Sequence, residues 1–362
     1  MKYILTIGRP FGIRVSVHWT FLLIIAWVIF IDIQQGFKVQ QIIYSVVFIL
    51  FIFLCVVIHE LSHSLAARRY GIPTRSITLL PIGGVADLQK MPEQPKQELV
   101  VSIAGPLSNL FIALVLWVTL SLTGNFQVAT TDFTAITRDN FLIVLTFANL
   151  LLALFNLLPA FPMDGGRVFR ALMAMYMSRE KATYAAMNMG KVFAFILAVW
   201  GVFVNPFLIF IAIFIYIGAQ REYEQVKYNS VLTGYKVKDV LMHEYNTVRE
   251  DDTLQKAVDI LLDGPQQRFI VVDEGNRVKG ILTRNNIIQG LSEQGNELKI
   301  RQVMLTDVTS FQPDDSLEEA FQKMRQENIT MAPLVKEGHL MGVIDLDNIN
   351  EFIMVRSALR RP

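Results

Sequence analysis

Residues 42–58 carry no charge and lead directly into His59-Glu60-Leu61-Ser62-His63. An uncharged run of this length, continued to about residue 67, predicts a helix long enough to cross a bilayer. Residues four apart on a helix share a face, so the imidazoles of His59 and His63 project together. Two neutral imidazole nitrogens so placed can bind one zinc ion, which prefers tetrahedral geometry and keeps an open position in catalytic sites. Glu60 stands beside the pair, placed to take a proton from an attacking water. At ~1.5 Å per residue His59 lies ~26 Å along the predicted helix, towards the exit side of a ~30 Å hydrocarbon core. Ionisable groups at that depth are costly, which favours a functional role over a packing one. Cys55, one turn before His59, could supply a further ligand or pack as a small apolar group.

The rest of the chain supports a membrane setting. Of its 362 residues 52% are hydrophobic and 18% charged, with a mean hydropathy of +0.40, too apolar for an ordinary soluble protein of this size. The net charge of +1 gives no reason to expect nucleic acid as a partner, and one cysteine excludes an internal disulfide. Long uncharged runs fill the first 220 or so residues and predict six spans. These lie at about 17–33, 42–67, 99–122, from 141 into the stretch after Asn156, 182–201 and 206–219. Residues 1–16 read as a short amphipathic lead. The first run lacks a small-residue cleavage site and reads as retained. His18 and Trp19 fall where an interfacial belt is expected, and His18 reads as structural. Residues 79–88 are too short to span, too apolar for a free loop and interrupted by Gly83-Gly84. They predict a re-entrant β-hairpin whose edge could pair with an extended peptide. Gly105-Pro106-Leu107-Ser108-Asn109 lies inside the third span, where small residues allow close helix approach and Asn109 needs a hydrogen-bond partner. Lysines and arginines number fourteen on the side of the N-terminus, against Lys38 and Arg138 opposite. That imbalance predicts cytoplasmic termini and places the histidine end of the second span towards the cytoplasm.

Two histidines need a third protein ligand. Asp164 is the candidate, in Asn156-Leu157-Leu158-Pro159-Ala160-Phe161-Pro162-Met163-Asp164-Gly165-Gly166-Arg167. Pro159 and Pro162 break the helix, and the paired glycines permit close backbone approach. A carboxylate at membrane depth calls for a cation. Asn156 can offer its amide to a peptide carbonyl or to the developing oxyanion. Together, the histidine motif in a span and the later Asn156…Pro159…Pro162…Asp164-Gly165 pattern resemble the site-2 protease family of intramembrane zinc metallopeptidases. No motif residue departs from the pattern. The resemblance implies that His59, His63 and Asp164 are the zinc ligands, that Glu60 is the general base, and that Asn156 positions substrate or stabilises the oxyanion.

The last 130 or so residues look soluble and repeat internally. Val240-Leu241-Met242 recurs as Val303-Met304-Leu305, Asp251-Asp252-Thr253-Leu254 as Asp314-Asp315-Ser316-Leu317, and Gly280-Ile281-Leu282 as Gly342-Val343-Ile344. Each unit predicts a helix, two short apolar strands and a second helix, and the pair resembles tandem cystathionine-β-synthase (CBS) domains. That likeness implies an adenine nucleotide as a candidate ligand. However, Asn286 and Asn348 stand where the family places a ribose-contacting aspartate, and Asp345 would repel phosphate where Thr283 stands in the first repeat. A dimerisation or substrate-docking module is the alternative. His243 and His339 are expected to face water.

The expected whole is therefore a polytopic α-helical membrane protein, six spans with a re-entrant β-hairpin, followed by an α/β tandem CBS module. Its expected divisions are 1–222, a linker at 223–236, and repeats at 237–293 and 294–362. The expected activity is zinc-dependent cleavage of a single-span or signal-peptide-like segment of another membrane protein. It would act in the cell membrane, in contact with the lipid bilayer, with a homodimer through the CBS domains as a further candidate partner.

Overall fold

A computed structural model of the chain describes residues 4–81, 83–88, 91–123, 135–242, 244–264 and 266–359. The chain divides into two compact units, 1–226 and 227–362.

The first unit opens not with a lead and a helix but with two strands, β1 (Ile4–Gly8) and β2 (Arg14–His18), paired antiparallel. The expected first span therefore starts later, as α1 (Phe21–Gln34). In Arg14-Val15-Ser16-Val17 the alternation of a strand is present, but the partner that stabilises it is distant. β2 runs parallel to β3 (Thr74–Leu80), Arg14 opposite Ser76 and Val17 opposite Leu79. His18 ends β2 with Nδ1 2.7 Å from the Thr20 hydroxyl, a local turn contact. Between these strands lies α2 (Val39–Arg68), which carries the histidine motif. β4 (Gly83–Leu88) folds back antiparallel on β3, so residues 79–88 do contain a hairpin, and β4 forms one edge of a sheet ordered β1-β2-β3-β4.

Five helices follow: α3 (Pro95–Leu122), α4 (Phe141–Asn156), α5 (Asp164–Met173), α6 (Arg179–Phe203) and α7 (Phe207–Leu232). Among the described residues three helices, α2, α3 and α6, are long and apolar enough to cross a membrane. The other anticipated spans are shorter. α1 and α4 have 14 and 16 residues, ~21 and ~24 Å of rise against a ~30 Å core. α7 is apolar only as far as Ala219, before Gln220-Arg221-Glu222. Large apolar side chains point outward along these helices, among them Phe51 and Leu54 on α2, Phe111 and Leu114 on α3, and Phe195 and Trp200 on α6. An outer surface of this kind is stable in lipid rather than water.

A buried ion cluster ties the helices together beneath that surface. Arg170 of α5, 1% exposed, donates Nε to Glu98 of α3 at 2.8 Å and an amino group to Glu222 of α7 at 2.8 Å. Arg179 of α6 reaches the other Glu98 oxygen at 3.5 Å. Charges this deep persist only when paired on all sides.

In the second unit the internal repeat folds as two similar halves. The first comprises β5 (Thr247–Arg249), α8 (Leu254–Asp263), β6 (Arg268–Val272), β7 (Val278–Thr283) and α9 (Arg284–Gln294). The second comprises α10 (Leu317–Gln326), β8 (Met331–Lys336), β9 (His339–Asp345) and α11 (Leu346–Leu359). Strand alternation divides the core. Phe269 and Val271 of β6 pack inside their own repeat with Leu254, Leu282 and Ile287, whereas Ile270 and Val272 meet Met331, Leu340 and Val343 of the other repeat. His339 is exposed, and His243 lies outside the described residues.

Candidate metal centre

α2 delivers His59 and His63 to one face, both buried, at 7% and 4% exposure. Asp164 is the first residue of α5, and two glycines set its position. A Cβ on Gly165 would run into the Leu157 and Leu158 backbone, and one on Gly166 would lie 2.6 Å from the Ala160 carbonyl carbon. Only glycine lets α5 begin this tightly against the turn that carries Pro159 and Pro162.

Three ligand atoms converge there. His59 Nε2 and His63 Nε2 are 3.1 Å apart, and Asp164 Oδ2 lies 3.1 Å from the first and 3.0 Å from the second. Donors on a tetrahedral zinc, with bonds of ~2.0–2.1 Å, stand ~3.3 Å from one another, so this triangle fits a small cation at its centre. His63 Nδ1 donates to the Val101 carbonyl at 2.7 Å, which leaves Nε2 bare and facing the other two atoms. Gly105 of α3 closes the opposite side. A Cβ there would lie 2.6 Å from His59 Nε2 and closer still to His63 Nε2. The absent side chain leaves room where the three donors meet, and the donor set is one that zinc uses.

Of the residues singled out from sequence, the structure brings His59, His63 and Asp164 into one group, all three buried. Glu60 is half-buried on the same helix. Gly84 of the edge strand rests on it, since a Cβ at that position would meet Glu60 Cγ at 2.7 Å and Val56 at 3.2 Å. Asn156, the last residue of α4, donates Nδ2 to the Leu152 carbonyl of its own helix at 2.9 Å. Its second N–H and its oxygen are further hydrogen-bonding groups that it can offer. Cys55 stands apart from the three ligand atoms, its thiol accepting from Asn149 Nδ2 at 3.4 Å. The partner that Asn109 requires is His59, whose Nδ1 is 2.8 Å from Asn109 Oδ1. Asn149, fully buried, donates to the Leu145 carbonyl and accepts from Asn109. Asn149 is not among the residues singled out from sequence, and the available signal was a second amide in the uncharged helix α4, seven residues before Asn156.

In the second unit, the two asparagines that replace the family's aspartate have internal partners. Asn286 pairs with Thr283, capping α9, and Asn348 donates to the Val240 carbonyl at 2.7 Å. Burial pushes the Asp345 carboxyl above its ordinary range.

Known proteins share both parts of this architecture. The model of peptidase family M50 matches residues 47–199, and that of the CBS domain matches 237–293 and 300–355. A zinc metalloprotease of Methanocaldococcus jannaschii is 33% identical over 350 residues, which cover 96% of each chain. Stage IV sporulation protein FB of Bacillus subtilis is 26% identical over 63% of this chain and 74% of its own. Among solved structures, a site-2 protease from M. jannaschii is 36% identical, covers 61% of this chain and 95% of that one, and superposes with a TM-score of 0.45.

Proposed function

Since the chain belongs to peptidase family M50, the site-2 proteases, and is a zinc metalloprotease with a CBS module, we propose that it cleaves transmembrane or membrane-adjacent segments of other membrane proteins. In this reading His59, His63 and Asp164 hold the zinc and Glu60 is the general base. The observation that carries it is the meeting of His59 Nε2, His63 Nε2 and Asp164 Oδ2 within 3.1 Å of one another beside Glu60.

A zinc ion held there supplies Lewis-acid polarisation of a peptide carbonyl and of water. Glu60 takes the proton of the attacking water and returns it to the departing amine, which places base and acid in one carboxylate. Asn156 keeps one N–H on Leu152 and turns the other towards the substrate carbonyl, donating to the charge that develops on it. A helical substrate shields its carbonyls in its own hydrogen bonds, so it must unwind before attack. Among the described strands β4 pairs only with β3. Its free edge can accept the unwound segment as a further strand, and Gly84 brings that edge against Glu60.

The six-span topology belongs to this reading. α1, α4 and α7 complete the set begun by α2, α3 and α6, their shorter apolar lengths accommodated by local thinning of the bilayer. The excess of lysine and arginine on one side puts both termini and the CBS pair in the cytoplasm. Residues 1–222 form the catalytic domain, and repeats at 237–293 and 294–362 form a regulatory or substrate-docking module, with an adenine nucleotide or a second copy of the chain as its partner.

The test is zinc content and cleavage of a candidate membrane substrate, measured side by side for the native chain and Glu60→Gln. One zinc in each is expected, with cleavage reduced about 10²–10⁴-fold or more in the variant. No zinc in either would refute the ligand assignment, and undiminished cleavage by Glu60→Gln would refute the base.

A further inference from the structure

The hydrogen bonds behind His59 have a direction. Asn149 Nδ2 donates to the Leu145 carbonyl at 2.9 Å, and a carbonyl can only accept. That bond orients the Asn149 amide and leaves its Oδ1 facing Asn109, which must present Nδ2 across the 3.3 Å between them. Asn109 therefore turns Oδ1 towards His59, 2.8 Å away. Because Oδ1 also only accepts, the proton of that bond resides on His59 Nδ1, and in the neutral ring that binds a metal Nε2 is bare. The same Asn149 nitrogen also reaches the Cys55 thiol, at 3.4 Å. Exposure is 0% at Asn149, 1% at Asn109 and 5% at Cys55, so water is not at hand to repair a reversed amide. Turning either carboxamide over would set oxygen against oxygen or N–H against N–H, at the cost of unsatisfied buried groups.

We propose that Asn109 and Asn149 are positioning residues for zinc capture. They form a relay from the Leu145 carbonyl on α4, through α3, to α2 that holds His59 in the Nδ1-protonated tautomer. Its Nε2 lone pair is thereby aimed at the point shared with His63 and Asp164. His63 reaches the same state in one step, through the Val101 carbonyl. Backbone thus sets one histidine and side chains the other, and only the second route can be altered by substitution. Partners of this kind fix a ligand's tautomer and ring orientation. The inference rests on His59 being a zinc ligand.

The experiment has two arms, both on the full chain in detergent or nanodiscs. In the first, His18, His243 and His339 are replaced by asparagine so that only His59 and His63 of the five histidines remain. ¹⁵N NMR of the metal-free protein is recorded at about pH 8.5, well above the ordinary imidazole range. A protonated Nδ1 is expected at His59, and a bare Nδ1 overturns the proposal. In the second, zinc affinity is measured by competition with a chelator. Asn109→Leu should weaken binding about 10–100-fold, and Asn149→Leu, which touches no ligand, at least about threefold. Asn109→Asp, which still accepts from Nδ1–H but sets its second oxygen against Asn149 Oδ1, should weaken binding less than Asn109→Leu does. Native affinity in Asn109→Leu, or Asn109→Asp as weak as Asn109→Leu, overturns the relay. Should Asn109→Leu fail to fold, Asn149→Leu and the NMR arm decide. A native chain that takes up no zinc refutes the ligand reading, and the tautomer measurement still judges the relay.

Discussion

Replacing Gly105 by alanine should empty the metal centre while leaving the fold in place. In a helix interior this change is ordinarily favourable by roughly 0.5–1 kcal/mol, because glycine loses more backbone entropy than alanine on folding. Here the new methyl carbon would lie 2.6 Å from both His59 Nε2 and His63 Cε1. Carbon–nitrogen contacts in packed interiors are about 3.5 Å, so the rings or the helix must give by about 1 Å. The rings are held from behind, His63 by the Val101 carbonyl at 2.7 Å and His59 by Asn109 at 2.8 Å. Zinc–ligand distances tolerate shifts of only ~0.2 Å. A displacement of that size therefore loses at least one ligand, and the expected loss in zinc affinity exceeds ~100-fold, or about 3 kcal/mol. The assay is metal stoichiometry on purified Gly105→Ala, with helix content from circular dichroism. Gly190→Ala is the control, since its Cβ would lie 3.2 Å from Ala219 Cβ and in ordinary contact with the Phe161 nitrogen and Ala160 Cβ at 3.5 and 3.6 Å, and it should retain zinc. Gly105→Ala with one zinc at native affinity would refute the placement of the cation between these nitrogens.

Other perturbations address the remaining parts. Gly83→Val together with Gly84→Val crowds the strand that rests on Glu60 and should impair cleavage while zinc content stays at one, as read by the same metal analysis. Unchanged cleavage would remove the hairpin from the mechanism. Arg170→Leu leaves Glu98, itself 1% exposed, with only the longer Arg179 contact at 3.5 Å, and should cost about 3–5 kcal/mol of stability, read as a fall in melting temperature; Arg170→Leu with Glu98→Gln should cost less. In the CBS unit, Lys236 and Lys238 hold the Asp314 carboxyl down to about 2. Its folded value lies below the ordinary ~3.9, so its contribution is complete above about pH 4 and is lost as pH falls towards 2. Thermal melts of Asp314→Asn should accordingly show a shallower acid decline than the native chain. An identical decline would show that the lysine pair adds nothing.

Much of the site was legible in the sequence because its chemistry is local in spacing. His59 and His63 share a helix face through the helical repeat alone, and the uncharged run before them states the solvent. Asp164 could be nominated because two prolines and two glycines mark a break that an unpaired carboxylate could not otherwise occupy. The internal repeat exposed the second unit through matched residues such as Asp251-Asp252 and Asp314-Asp315. By contrast, Arg14-Val15-Ser16-Val17 reads as a strand only once β3 lies alongside it, some sixty residues later, and a run of apolar residues after it looked like a span that began too early. Other helices run past the apolar stretch that marks them, α3 starting at Pro95, α6 covering Arg179–Phe203 and α7 continuing to Leu232. Hydropathy reports which residues avoid water, but not where the backbone stops being helical.

Composition and the 3.6-residue period already mark which groups can bind a metal, on which helix, and that the helix belongs in a membrane. Tertiary structure alone decided that Gly105 leaves the space between the two imidazoles, that Gly84 lies on Glu60, and that Asn149 reaches His59 through Asn109. These depend on pairs of residues far apart in the chain. Whether a buried amide donates or accepts is settled only by the atom that packing places opposite it.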